Sequence, residues 1–224
     1  MKKEKQGLLI SVEGIDGAGK STLTHNVHSL LLQRNYPVLL TKEPGATDLG
    51  KKLRAILQER VIPICNKSEY LLFAADRAQH FETVVSPSLE KNMIVISDRM
   101  ADSSLVYQGY GRGLNIALIE IINQWAMNNI KPHLTMYIRL SKEEAFKRLA
   151  QRDRLSTFEK KELIKKVFTG FEEIYKNRND VMVLDGTQPP EYLTQLAAEK
   201  IVSLYSTKNS TFSVNVSNDI IKKW

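Results

Sequence analysis

The stretch Gly14-Ile-Asp-Gly-Ala-Gly-Lys-Ser21 constrains this chain more than any other. It fits the pattern G-x-x-x-x-G-K-[ST], and its flanks supply the context that gives the pattern meaning. The preceding run, Leu8-Leu-Ile-Ser-Val-Glu13, reads as a short apolar strand. After it, Leu23, Val27, Leu30 and Leu31 fall on one face of a helix. Strand, glycine loop and helix in that order form an anion cradle. Glycines let backbone N–H groups curl around a phosphate, and the helix dipole favours negative charge at its N-terminal end. Gly14, Ile15, Asp16, Gly17, Ala18 and Gly19 then line a nucleotide phosphate chain, and Lys20 reaches its outer phosphates. Ser21 and Thr22 open the helix, with the Ser21 hydroxyl placed to ligate Mg²⁺.

The rest of the chain repeats the alternation. Apolar runs at Leu8–Val12, Val38–Thr41, Met93–Ser97, Leu134–Leu140 and Val181–Leu184 are separated by helical patterns. They predict an α/β fold with a five-stranded parallel sheet and helices on both faces. At 224 residues one domain is expected, over 1–205, with a final helix at about Glu191–Tyr205. Residues 206–224 are polar and read as a C-terminal appendage. In open parallel sheets, ligands sit beyond the carboxyl ends of the strands. Charged groups stand there: Lys42-Glu-Pro-Gly45, Asp98-Arg99, Arg139 and Asp185-Gly186.

Composition narrows the function classes. Hydrophobic residues make up 42% and charged residues 25%, as in a globular protein with a full core. No apolar run approaches the ~20 residues of a membrane span, and the stretch after Met-Lys-Lys-Glu-Lys-Gln is too short for a secretory signal. A cytoplasmic protein without membrane contact is expected. The single cysteine, Cys65, offers no disulfide within the chain, and His25, His28, His80 and His133 lack metal-ligand spacing. The net charge of +7 is spread over helices and chain ends rather than gathered in an aromatic-laced stripe, so nucleic acid is not expected as a partner. Asn66-Lys-Ser-Glu69 reads as a turn and helix start, with Ser68 as cap. Gly109-Tyr-Gly-Arg-Gly113 follows a helix rather than a strand and reads as a loop.

Taken with the glycine loop, the ordered segments Thr41-Lys-Glu-Pro-Gly45, Leu71-Leu-Phe-Ala-Ala-Asp-Arg77, Ile96-Ser-Asp-Arg99 and Ser103-Ser-Leu-Val-Tyr-Gln-Gly109 resemble the bacterial thymidylate kinases over about residues 8 to 205. The resemblance implies the three-layer α/β/α fold of P-loop kinases and transfer of the ATP γ-phosphoryl group to dTMP with Mg²⁺. It also implies a homodimer. It assigns the dTMP phosphate to Arg99 and Arg54. Phe73 would stack on thymine, with Arg77 on an exocyclic oxygen of the base. Ser103, Ser104, Tyr107 and Gln108, on one helix, would complete the pocket, with Tyr107 crowding the sugar 2′ position. Glu43 and Pro44 belong to the same site. Asp16 would assist metal and sugar positioning, and Asp98 would orient Arg99 or reach Mg²⁺ through water.

Ser141-Lys-Glu-Glu144 forms a capping box ahead of a basic segment, Arg148, Arg152 and Arg154, within a lid at about 148–160. Gly17 occupies the loop position where some relatives carry arginine, so the resemblance makes Arg152 and Arg154 the charge-stabilising arginines and puts Arg148 beside adenine. Lys42 and Ala46 depart from the commonest family residues, and Ser104 fills a position that varies between Thr, Asn and Ser among relatives. Two rival readings remain: a kinase for another nucleoside monophosphate, and a nucleotide-dependent switch.

Overall fold

The computed structural model describes residues 7–59, 62–150 and 158–221, with side chains except at 158–160 and 210–221. Among them one sheet holds five parallel strands: β1 (Leu8–Glu13), β2 (Val38–Lys42), β3 (Ile94–Asp98), β4 (Leu134–Arg139) and β5 (Val181–Asp185). Their order is β2-β3-β1-β4-β5. The chain moves out from β1 to β2, returns through β3, then crosses β1 to build β4 and β5. The glycine-loop strand is therefore central, and all six of its residues are buried.

Alternation along β1 explains how. Leu8, Ile10 and Val12 pack with Leu23, Val27 and Leu31 of α1 (Lys20–Gln33). The same cluster takes in Ala197 and Ile201 of α9 (Pro190–Ile221). Leu9 points the other way, into a cluster with Val95, Phe81, Val85 and Leu89. A strand covered on both faces is mostly apolar, and this one departs from that only at Ser11 and Glu13, which are hydrogen-bonded to each other. Each such side chain taken out of water contributes about 1.5–3 kcal/mol.

Register brings the strand ends together. Val12 of β1 and Lys42 of β2 both pair with Asp98 of β3. Glu13, Glu43 and Arg99, one residue further on, leave the sheet at one level.

The remaining helices are α2 (Asp48–Glu59), α3 (Asn66–His80), α4 (Ser86–Glu90), α5 (Ala101–Ser104), α6 (Ile116–Ala126), α7 (Lys142–Ala150) and α8 (Phe158–Tyr175). Several expectations need correction: Gly109, Tyr110 and Gly111, read as part of a loop, lie in a helical stretch. The helix expected to carry Ser103 through Gln108 is split: α5 ends at Ser104 and a π-helical stretch, Leu105–Gly111, follows. The wider turn lets Gly111 meet Leu163 and Val167 of α8, where an added Cβ would lie 2.8 Å from the leucine. Ser68 does not cap α3. Cys65 occupies that position, with Ser68 one turn inside. Finally, α9 does not end at Tyr205. Tyr205 Oη donates to the Asn92 carbonyl and Lys208 Nζ to the Gly7 carbonyl, so the helix stays docked beyond the expected end. No helix among the described residues is long and apolar enough to cross a membrane.

Candidate active site

The loop between β1 and α1 depends on glycine at three positions. Gly14, Gly17 and Gly19 have φ of 145°, 82° and 105°, a region side chains disfavour. A Cβ on Gly14 would also lie 2.7 Å from the Ile138 carbonyl oxygen. Ile15 and Ala18 turn into the core, leaving their backbone to the loop. Lys20, the first residue of α1, is 6% exposed, and its Nζ donates to the Ile15 carbonyl at 2.8 Å. Burial, reinforced by Arg99, lowers its pKa to about 7 against the pull of Asp16 and Asp98. A cation held this way gains from an arriving anion. Ser21 Oγ donates to Asp98 Oδ2 at 2.6 Å, joining the start of α1 to the end of β3.

Arg99 stands where the loop meets the opposite half of the site. Its φ is 73°, a left-handed conformation that costs a non-glycine residue about 1–2 kcal/mol. Three hydrogen bonds hold the turn. Arg99 N donates to the Val12 carbonyl, Ser97 Oγ donates to the Arg99 carbonyl, and Met100 N donates to Glu13 Oε1. The guanidinium spans the two sides: Nη2 reaches Asp16 Oδ1 at 2.6 Å, and Nη1 reaches the Gly14 carbonyl at 3.2 Å and Ser103 Oγ at 2.8 Å. Tyr107 Oη accepts from Nη2 at 3.4 Å, and its ring lies 5.2 Å from the guanidinium carbon. Burial opposes the charge, but Tyr107, Asp16, Glu13 and Asp98 together hold the pKa above its ordinary value. Of the two roles expected for Asp98, its carboxylate meets Ser21, and Asp16 is the acid bonded to Arg99.

Behind this arginine lies a buried charge network. Arg77 is 2% exposed and Glu43 is 4% exposed. Arg77 Nε donates to Glu43 Oε2 at 2.8 Å, Nη1 to Asn123 Oδ1, and Nη2 to Ser104 Oγ and the Met100 carbonyl. The other Glu43 oxygen meets His80 Nδ1, and His80 Nε2 meets Thr41 Oγ1. Burial alone would raise the Glu43 pKa; Arg77 and His80 more than reverse that and lower it. Arg77 thus spends all three nitrogens on protein. Beside it, Asp76 Oδ1 accepts from Gly45 N, while burial and the Glu43 charge raise its pKa to about 6. Arg54 Nη1 donates to the Pro44 carbonyl at 2.9 Å, with its chain against Gly45. Phe73 is half-buried on α3, and Gln108 Nε2 donates to Glu69.

On the lid side, half of the expected capping box forms. Glu144 N donates to Ser141 Oγ, but the Glu144 carboxylate accepts from Arg148 Nε at 2.7 Å instead of closing the box. Arg148 also donates to the Gly186 carbonyl, tying α7 to the turn after β5. Arg152 and Arg154 lie outside the described residues.

The structure therefore gathers Asp16, Lys20, Ser21, Asp98, Arg99, Ser103 and Tyr107 at one rim, with Glu43, Arg77 and Ser104 beneath. Sequence reasoning missed Glu13, Glu69 and Asn123. For Glu13 a signal existed: a carboxylate ending a mostly apolar strand needs buried partners.

The comparisons agree with this geometry. Residues 12–197 match the family model described as thymidylate kinase. The thymidylate kinase of Finegoldia magna is 37% identical over 187 residues, 82% of this chain and 92% of that protein. That of Thermoanaerobacter pseudethanolicus is 41% identical over 186 residues, 82% and 91% of the two chains. The crystal structure of thymidylate kinase from Ehrlichia chaffeensis superposes with a TM-score of 0.71 at 30% identity, covering 88% of this chain and 98% of that one. A glycine loop on a central strand, an arginine bridging it to the facing helix, and relatives matched over nearly their whole length lead to one conclusion: the chain belongs to the thymidylate kinase family.

Proposed function

We propose that this protein transfers the γ-phosphoryl group of ATP to dTMP, giving dTDP. The observation that carries the reading is Arg99, whose guanidinium touches the glycine loop through Gly14 and Asp16 and the acceptor side through Ser103 and Tyr107. A group so placed neutralises charge between two anionic nucleotides, which is most of what phosphoryl transfer asks of a protein. The transfer is direct and in line. Lys20 and the loop backbone hold the donor phosphates. Arg99, with Arg54 nearby, holds the acceptor phosphate, while Phe73, Arg77, Ser104 and Gln108 shape the base site.

The hydroxyl of Ser21 and the carboxylate of Asp98, 2.6 Å apart, are the hard oxygen donors that suit Mg²⁺, with Asp98 acting through water. The ion would supply charge neutralisation between the donor phosphates. Arg152 and Arg154 complete the charge from a lid at about 148–160 that closes on a kinase domain spanning 1–205, with 206–224 as a C-terminal extension. Arg148 borders adenine. A cytoplasmic homodimer follows from the family resemblance. Leu118, Ile121 and Trp125 support the pairing: they form one exposed apolar stripe on α6, with Trp125 75% exposed.

A coupled ADP-release assay with ATP·Mg²⁺ against dTMP, dUMP, AMP, GMP, CMP and UMP tests the reading. Turnover strongest with dTMP is expected. Preference for another monophosphate would overturn the base-pocket assignment, and silence with all six would overturn the transfer itself.

A further inference from the structure

Glu13 is fully buried at the end of β1, yet it is a carboxylate. Packing alone would be served better by an apolar side chain, because burying a carboxylate is costly unless it is well partnered. Its partners are specific. Oε1 accepts from Ser11 Oγ at 3.1 Å and from Met100 N at 2.7 Å; Oε2 accepts from Ser103 Oγ at 2.6 Å. Two of these three lead to Arg99. Met100 N is the amide that follows the left-handed turn at Arg99, and Ser103 Oγ accepts from Arg99 Nη1 while donating to Glu13. One carboxylate thus grips both the backbone just after Arg99 and the hydroxyl that orients its side chain.

We propose that Glu13 is the positioning residue for Arg99, transmitting the position of the phosphate-loop strand to the arginine that holds the acceptor phosphate. The inference rests on the reading of Arg99 as the acceptor-phosphate ligand. Glu13 touches neither nucleotide; it acts through Met100 and Ser103. Burial, followed by the Asp102 charge, raises its pKa to about 7, opposed by Arg99 and by the hydrogen bonds from Ser103 and Met100. The side chain is therefore held against a real electrostatic cost.

The test measures dTMP and ATP binding separately by calorimetry, with steady-state kinetics alongside, for wild type, Glu13→Gln, Ser103→Ala and the double variant. An amide keeps the shape but no longer accepts from both Ser103 and Met100. Glu13→Gln is expected to weaken dTMP binding about tenfold or more, the scale of a hydrogen bond to a charged group. ATP affinity is expected to stay within about threefold, because the hydrogen bonds of the Glu13 side chain go to Ser11, Met100 and Ser103 and its charge acts on Lys20 less than those of Asp16 and Asp98 do. Adding Ser103→Ala to Glu13→Gln is expected to cost little more, because both act on one relay. Equal losses for both nucleotides, or additive losses in the double variant, would overturn the proposal in favour of a purely structural tie. Should Glu13→Gln not fold, Glu13→Asp keeps the charge but withdraws it by one methylene. The same dTMP-specific loss is expected, and wild-type dTMP affinity would overturn the proposal. A wild type that binds dTMP without phosphorylating it ends the transferase reading but leaves the affinity comparison decisive for Glu13. A wild type that does not bind dTMP overturns both.

Discussion

The donor and acceptor halves of this site are built on different principles. The donor half is one continuous segment, Gly14 to Ser21, whose backbone path is set by three glycines. Its key side chain, Lys20, is held in a place that penalises its own charge. The acceptor half is assembled from residues far apart in sequence: Glu43 and Arg77 are 34 positions apart, Arg77 and Asn123 46. There, the side chains assigned to the nucleotide site also tie β2, α3, α5 and α6 to one another. Function on the donor side is carried at some expense to the fold, whereas on the acceptor side it is continuous with the fold.

The sharpest way to break this contrast is to remove Arg77. Arg77→Met leaves Glu43 buried without its cation, and unfolding by denaturant should show a loss of about 3–5 kcal/mol. A loss under about 1 kcal/mol would mean the network is ornamental to stability. Next come Lys20→Ala and Arg99→Ala, each expected to cut turnover about 10³-fold, the effect of losing one oriented charge stabiliser. The two should part company in stability. Lys20→Ala should stay within about 1 kcal/mol of wild type, because the residue it removes is a desolvated cation. Turnover within tenfold of wild type for either variant would count against its assignment.

A pH-dependent signal sharpens the donor side further. Burial, with Arg99 nearby, holds the pKa of Lys20 down to about 7. A bound phosphate chain adds negative charge and must raise it. At pH 8 the free loop is mostly neutral at this position and the complex mostly protonated, so ATP binding should take up about one proton. Calorimetry in buffers of different ionisation enthalpy reads this directly, and Lys20→Met should abolish it. The smallest effect is expected at Tyr107→Phe. Its 3.4 Å contact with Arg99 is long, so kcat/KM for dTMP should fall no more than about threefold. A hundredfold fall would make that hydroxyl a principal holder of Arg99.

The same contrast decides what could be read from the sequence. The glycine loop was legible because strand, turn and helix lie in one contiguous stretch, and the five strands were placed within a residue or two because buried parallel strands are apolar runs. The acceptor residues were visible only through a family pattern. Nothing local to Glu43 announces Arg77, and nothing local to Glu13 announces Met100 and Ser103. Ser103 through Gln108 suit an α-helix by spacing, and tertiary packing of Gly111 against Leu163 accompanies the π-helical path instead. The polar composition after Tyr205 suggested a helix end, but polar residues on a helix lying along a surface do not terminate it. Lys208 reaching the Gly7 carbonyl is a long-range contact with no trace in local composition.

The shared level at which β1, β2 and β3 end has a consequence for how this chain can vary. Side chains alternate faces along a strand, so deleting one residue from Ile94–Asp98 would turn Arg99 away from the glycine loop and expose half the buried face of β3. No compensating substitution elsewhere repairs such a slip, since Val12, Lys42 and Asp98 are locked to one another by register. Length changes are therefore prohibited within the three strands. Among natural variants of this chain, insertions and deletions should be absent from those fifteen or so residues even where their identities drift freely among apolar types.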